Sequence, residues 1–288
     1  MPQAFDRMGA GVTSSTIYAA SVLWRGADGH MLIQDPRIDL LPDGALGPRR
    51  FKIKTAEAEV RRGMVNRLLK TRYGWRGYTE VRLPTDRSVH KFTLMAVEED
   101  TTIGTITVSM DGPQRLSVDD TFPEEVQALR AQGRKLCEFT KLAVDPTVGT
   151  KRVLAALFHV AYIVAHRIRH HDTLLIEVNP RHVRYYQRML GFKALGGERL
   201  NRSVNAPAVL LTVDFSYVMG EIGRLAGHPE RMSTDRSLYS AFMSLREEAA
   251  ILSRMQSKQA VFERRVGEPV DAAGAPQTDF APSDLLRI

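Results

Sequence analysis

Residues 136–192 alternate element types in an order that few folds accommodate. Leu136-Cys-Glu-Phe-Thr-Lys-Leu-Ala-Val144 is a strand-forming run stopped by Asp145-Pro146. An apolar segment of helical length follows, from about Thr150 to His170, and then a second strand, Leu174 to Val178. Asn179 caps a further helix, with Pro180 at its first position and Gly191 just past its end. Pro207 to Phe215 supplies a last strand. Strand, helix, strand, helix and strand, all following a hairpin, argue an α/β sheet with mixed pairing.

The hairpin is read at Phe92–Glu98 and Ile103–Met110, where Ile106, Val108 and Met110 alternate with Thr105, Thr107 and Ser109. Before it, a helix begins near Thr55, carries Val60, Met64 and Leu68 on one face, and ends at Gly74. Thr121-Phe-Pro-Glu124 has the spacing of a capping box, and Gly133 closes the helix it opens. The chain thus divides into a partly irregular arm at 1–50, a folded unit at 51–215, a helical extension at 216–265 and a disordered tail at 266–288. In the extension Leu238, Phe242, Leu245, Ala249 and Leu252 form one apolar stripe, suited to packing on the core or on a partner.

At 288 residues and 43% apolar content the chain can bury a sizeable core. Its longest apolar run, Val153–Ala165, is shorter than the roughly 18 residues that cross a bilayer, so no transmembrane span is expected. No secretory signal is read at the N-terminus, and the single cysteine, Cys137, suits a reducing compartment. Both point to the cytoplasm. A net charge of +7 attracts anions, whether nucleic acid, a membrane surface or an acidic protein. Nucleic acid is set aside because no zinc-finger spacing, RNP-like motif or recognition helix is present. No metal site is expected: His166 and His170 lie four apart, but in a last helical turn beside Arg167 and Arg169, where cations simply favour the dipole.

On an alternating strand Glu138, Thr140 and Leu142 share one face, and Cys137, Phe139 and Lys141 the other. A mid-strand carboxylate among apolar neighbours is desolvated, which raises its pKa towards neutrality as a general base requires. The alternative is a salt-bridged strand residue. Tyr186 on the Asn179 helix is a candidate proton donor, with Tyr185 its competitor and plain packing the other reading. Cys137 is read as a small buried hydrophobe.

The order of these elements resembles the GNAT acyl-CoA N-acyltransferase fold, a mixed central sheet with flanking helices, here with a C-terminal helical extension. Within it the details are similar to the FeeM-type long-chain N-acyl amino acid synthases, relatives of the acyl-homoserine-lactone synthases. The residues that carry this are Arg67–Tyr73 with Arg76-Gly-Tyr78, Ile103-Gly-Thr-Ile106, Leu129–Arg134 leading into Cys137-Glu138, and Asn-x-x-His-x-x-x-Tyr ending at Tyr186 with Gly191-Phe192. Glu138-Phe-Thr-Lys141 is similar to a Glu-x-Ser/Thr-Arg element whose glutamate is the proposed base, with Lys141 in place of the planar arginine. The resemblance implies an acyltransferase moving a long-chain acyl group from an acidic acyl carrier protein to the α-amine of an amino acid or similar small amine. Glu138 and Tyr186 would be catalytic. Thr140, Lys141, Leu142, Val144, Gly149, Lys151, Arg152 and Asn179 would hold substrate and donor, the backbone N–H groups of Leu142 or Val144 polarising the carbonyl; the other reading of Lys151 and Arg152 is as ordinary solvated charges. Only Gly149 survives of the glycines that cradle a CoA pyrophosphate, so the expected co-substrate is an acyl-phosphopantetheine thioester, with no cofactor. The alternatives are an acyl-homoserine-lactone synthase, or a non-catalytic acyl-sensing or scaffold protein.

Overall fold

A computed structural model of the chain describes residues 16–21, 50–56, 58–74, 81–83, 90–147, 151–228, 230–231 and 234–267, with the backbone alone for 16–21, 50 and 257–267. Gly149, Arg76-Gly-Tyr78 and the tail from 268 lie outside the described residues. The strands are β1 Thr16–Ser21, β2 Arg50–Thr55, β3 Lys91–Glu98, β4 Thr101–Met110, β5 Leu136–Val144, β6 Thr173–Val178, β7 Lys193–Ala194, β8 Arg199–Asn201 and β9 Ala206–Asp214. They form one sheet in the order β1-β2-β3-β4-β5-β6-β9-β7, with β8 joined through β9. All pairings are antiparallel except β5 with β6. The helices are α1 Glu59–Gly74, α2 Pro123–Ala131, α3 Lys151–Tyr162, α4 Val183–Leu190, α5 Phe215–Leu225 and α6 Leu245–Gly267. None among the described residues is long and apolar enough to cross a membrane.

Three helices set the two faces of the sheet. Helix α3 is buried on nearly every side, and with Leu94, Ala96, Ile106, Val108, Cys137, Phe139 and Ile176 it builds the main core. Its chain continues as a π-helical turn, Ile163–Ile168. On the opposite face α1 packs on Met95, Val97 and Ala143, while α2 and the 3-10 turn Ser117–Asp120 cover Leu136, Leu175 and Leu210. Gly104 lets α3 approach β4 closely, since a Cβ there would stand 2.9 Å from Leu157 Cδ1.

Several local expectations give way to tertiary pairing. Thr55 does not cap α1; it ends β2, paired with Leu94, and the helix begins at Glu59. The buried stripe of α1 is Val65, Leu68 and Leu69, and Val60 is 78% exposed. Thr121 forms no capping box, because Phe122 occupies the cap position of α2 without a side-chain bond and the Thr121 hydroxyl points to Glu177. The apolar stripe of the extension is broken: Leu238 and Phe242 flank a 3-10 turn, Tyr239–Ala241, and Leu245 and Ala249 are exposed. Helix α6 starts where Ser244 and Glu247 exchange capping bonds, and it buries Glu248, Ile251 and Met255 instead.

A buried polar latch fixes α6 to the core. His159 of α3 accepts the Met243 N–H at Nδ1 (3.1 Å), so its proton sits on Nε2 and is donated to Glu248 Oε2 at 3.2 Å. Burial holds the His159 imidazole below its ordinary pKa although Glu248 pulls the other way, so the ring is neutral. Arg167 at 3.0 Å neutralises the second Glu248 oxygen, and the Phe242 ring stacks on the imidazole at 4.8 Å. Removing the carboxylate strands both donors, so Glu248→Ala is expected to cost about 2–4 kcal/mol in urea unfolding. The exposed Arg246→Ala is the control and is expected to cost under about 0.5 kcal/mol.

Candidate active site

The two parallel strands separate at Glu138. β5 and β6 pair only at Leu136 with Thr173, Cys137 with Leu174 and Glu138 with Leu175. Beyond Glu138 they diverge, and β6 runs on along β9 as far as Val178 opposite Val209. β5 turns aside because it carries a bulge: Thr105 pairs with Ala143 and Thr107 with Thr140, so Lys141 and Leu142 together oppose Ile106. Lys141 takes the left-handed conformation, φ +49°, that this extra residue imposes.

The bulge also resets the alternation expected of the strand. Glu138 and Thr140 keep to the α1/α2 face, but Leu142 and Val144 join the α3 side, so Leu142 does not share Glu138's face. In the sheet plane Asp145 N–H donates to Ile103 O, which by alternation directs the Val144 N–H away from β4 and into the gap. Leu142 O is also on the gap side and accepts the Tyr73 hydroxyl at 2.7 Å. The gap is a cavity of about 710 Å³, within the roughly 300–1,000 Å³ of small-molecule sites. It passes through the sheet: Leu154, Phe158, Phe139 and Ile176 line it on the α3 side, and Ser117, Glu138, Glu177, Asn201 and Ser203 on the other. Arg72, Arg82, Lys141 and Arg181 add positive charge to its walls.

Glu138 lies at the point of divergence, 1% exposed. Burial pushes its carboxyl up to about 7, assisted by the charge of Glu177 and opposed by the Ser117 hydrogen bonds and by Lys91. Its Oε2 accepts the Ser117 N–H at 2.7 Å. Ser117 is held in turn by Asp119, whose Oδ2 accepts Leu116 N–H, and by Arg130, which grips Asp119 and Asp111 with two bonds each at 2.6–2.8 Å. Burial works to raise the Asp119 carboxyl, but the bonds and charge of Arg130 overcome it and keep it low, so the network is ionic. Lys141 is pulled below its ordinary pKa by burial and by Lys91, against the attraction of Glu138.

Of the residues expected from sequence, Glu138, Thr140, Lys141, Leu142, Val144, Asn179 and Tyr186 all line the cavity. Tyr186 stands edge-on to Phe192 and Tyr185, and Tyr185 itself is buried off the cavity wall. Asn179 caps a 3-10 turn, Pro180–His182, by accepting Arg181 N–H, and the α-helix expected to start at Pro180 begins only at Val183. Lys151 and Arg152 do not line the cavity; Lys151 is 5% exposed, so its ammonium is not presented to a phosphodiester. Cys137 is fully buried with its thiol pKa raised by burial, an inert hydrophobe. Sequence reasoning missed Ser117, Glu177, Asn201 and Tyr73. The one available signal was Glu177, a carboxylate near the end of an otherwise apolar strand.

The family model described as "N-acyl amino acid synthase FeeM" matches residues 64–214, just over half of the chain. The chain belongs to the FeeM N-acyl amino acid synthase family. It is therefore an acyltransferase, with the GNAT fold. Among solved structures it is similar to FeeM from uncultured soil microbes, at 27% identity and a TM-score of 0.52, over 58% of this chain and 93% of that one. It is also similar to the acyl-homoserine-lactone synthase LasI (12%, TM-score 0.43, 58% and 90%). A third is an acyl-CoA N-acyltransferase from Pseudomonas aeruginosa (14%, TM-score 0.40, 56% and 97%). No curated protein matches the chain.

The raised pKa of Glu138 carries a stability signature. The folded chain holds a proton there up to about pH 7, whereas the unfolded chain releases it near 4.5, so stability falls as pH rises between the two values. Glu138→Gln keeps the acceptor for Ser117 and removes the charge. Relative to the parent it is expected to gain up to about 3 kcal/mol between pH 4.5 and 8 in urea unfolding. A difference that does not change with pH would show that the carboxyl is not desolvated.

Proposed function

We propose that this acyltransferase moves a long-chain acyl group from acyl carrier protein to the α-amine of an amino acid or a similar small amine, with Glu138 as general base. The observation that carries the reading is a buried carboxylate at the point where β5 and β6 part, on the wall of a cavity through the sheet. A phosphopantetheine thioester lies in the gap, its carbonyl oxygen facing the N–H groups of Val144 or Leu142, and its acyl chain against Phe139, Leu154, Phe158 and Ile176. No bound cofactor takes part.

The nitrogen arrives as an ammonium ion. Glu138 takes one proton, the freed lone pair forms the C–N bond, and the C–S bond breaks. Tyr186 protonates the departing sulfur and regains a proton from the nitrogen by way of solvent, while Glu138 passes its own to water. One proton is released per amide and thiol formed. Thr140, Lys141 and Asn179 line the walls around the reacting centre. The carrier is supported by two features: the net charge of +7, and the glycine-poor sequence Val148–Leu154, which suits a single phosphodiester better than a pyrophosphate. The reaction needs no membrane span and suits the cytoplasm, where acyl carriers are acidic proteins.

With acyl-loaded carrier and pooled common L-amino acids, mass spectrometry is expected to find N-acyl amino acids. Their formation should fall about 10²- to 10⁴-fold in Glu138→Gln. Carrier-dependent kcat/KM should drop steeply between 50 and 300 mM salt. Equal turnover of acyl-CoA and acyl carrier, without salt dependence, would overturn the choice of donor. Undiminished product from Glu138→Gln would overturn the base.

A further inference from the structure

Glu177 shares the cavity with Glu138 and has no part in the chemistry above. Both lie on the same face of the sheet, because Glu138 stands opposite Leu175 and Glu177 follows two residues later on β6. Regular strand geometry sets such a pair of Cα atoms roughly 8 Å apart, and the splay widens that distance. One short segment holds both carboxylates. Ser117 N–H bonds Glu138 Oε2 at 2.7 Å, and the Thr121 hydroxyl reaches Glu177 Oε1 at 3.4 Å. Asn201 of β8 donates to that same Glu177 oxygen, while its own Oδ1 accepts Ser203 N–H and organises the turn that closes the cavity.

Each carboxylate thus has one oxygen fixed by the protein. Glu138 is held by Ser117 alone, through its N–H and its hydroxyl, while Glu177 Oε2 accepts no hydrogen bond among the described residues; neither carboxylate forms an ion pair among them. The charges that bear on Glu138 are Lys91 from β3, Lys141 from its own strand and Glu177; Asp120 bears on Glu177 from the 3-10 turn. Two facing carboxylates of this kind repel each other, which is a cost to the fold that a cationic guest relieves.

We propose that Glu177 is the acceptor-binding residue of this site, its untethered oxygen taking the substrate's ammonium group and setting the nitrogen beside Glu138. The assignment rests on the amine-acyltransferase reading above and names the residue that receives its cationic acceptor; an alcohol of the same shape gains nothing from Glu177. No covalent step is added. Ammonium binding between the two carboxylates precedes the proton transfer to Glu138, and the negative charge of Glu177 keeps Glu138 basic enough to accept that proton.

Carboxyl ¹³C NMR on the full chain, labelled at glutamate and assigned with Glu138→Gln and Glu177→Gln, reads the proposal without turnover. Propylammonium is the probe and propanol the neutral control. In the parent, propylammonium at pH 8 should shift both signals saturably and propanol should not. In Glu177→Gln the Glu138 midpoint should move to lower pH and the response of Glu138 to propylammonium should weaken at least tenfold. Asn201→Ala removes a tether but no charge, so it should leave the Glu138 midpoint in place; a merely structural role predicts that the two variants behave alike. A full propylammonium response in Glu177→Gln, or the same midpoint in parent and variant, overturns the proposal. Undiminished amide formation in Glu138→Gln would instead remove the base and leave the Glu177 result standing.

Discussion

The structure depends on a failure of pairing. Two parallel strands that begin in register stop bonding after three residue pairs, and the candidate site occupies the space that follows. A sheet with unpaired backbone in its middle is costly unless each strand is held from its other side. β6 is held along its whole length by β9, and β5 by β4, with the bulge at Lys141 absorbing the change of direction. The left-handed φ of Lys141 is the local cost of keeping the gap open. Tyr73 then satisfies one of the carbonyls the gap exposes, and the Val144 N–H is left facing it.

The site is positioned by a second constraint, the Arg130 network. A single guanidinium bridges Asp111 at the end of the hairpin and Asp119 in the 3-10 turn, and so ties α2 to the backbone that presents Ser117 to Glu138. Arginine suits the task because its planar fork serves two carboxylates at once. The same turn reaches Glu177 through Thr121. A polar cluster outside the cavity thereby fixes where both carboxylates stand, and burial sets how readily Glu138 holds a proton.

Chemically the cavity is divided by the sheet it passes through. The α3 side offers an apolar wall suited to an alkyl chain, and the α2 side offers carboxylates and amides suited to a small cation. No described side chain of helix α6 lines this space. Its latch of His159, Glu248 and Arg167 braces the outer side of α3, so the extension supports the apolar wall from behind.

The sequence alone determined the elements and much of the site. The strand Leu136–Val144, the capped helix between Asn179 and Gly191, the buried glutamate in mid-strand and the tyrosine on the cavity wall were all legible, because strand period, Pro and Gly placement and local polarity are short-range signals. Only the tertiary structure decided where β5 and β6 part, that Leu142 faces away from Glu138, and that Thr121 serves Glu177 rather than a helix end. It also turned the apolar stripe after Leu238 into a turn and a helix with a buried glutamate. A bulge adds one residue to one strand in response to its neighbour, and a hydroxyl or carboxylate takes whichever partner the fold brings within reach; both are set by residues distant in the chain, and no local period records them.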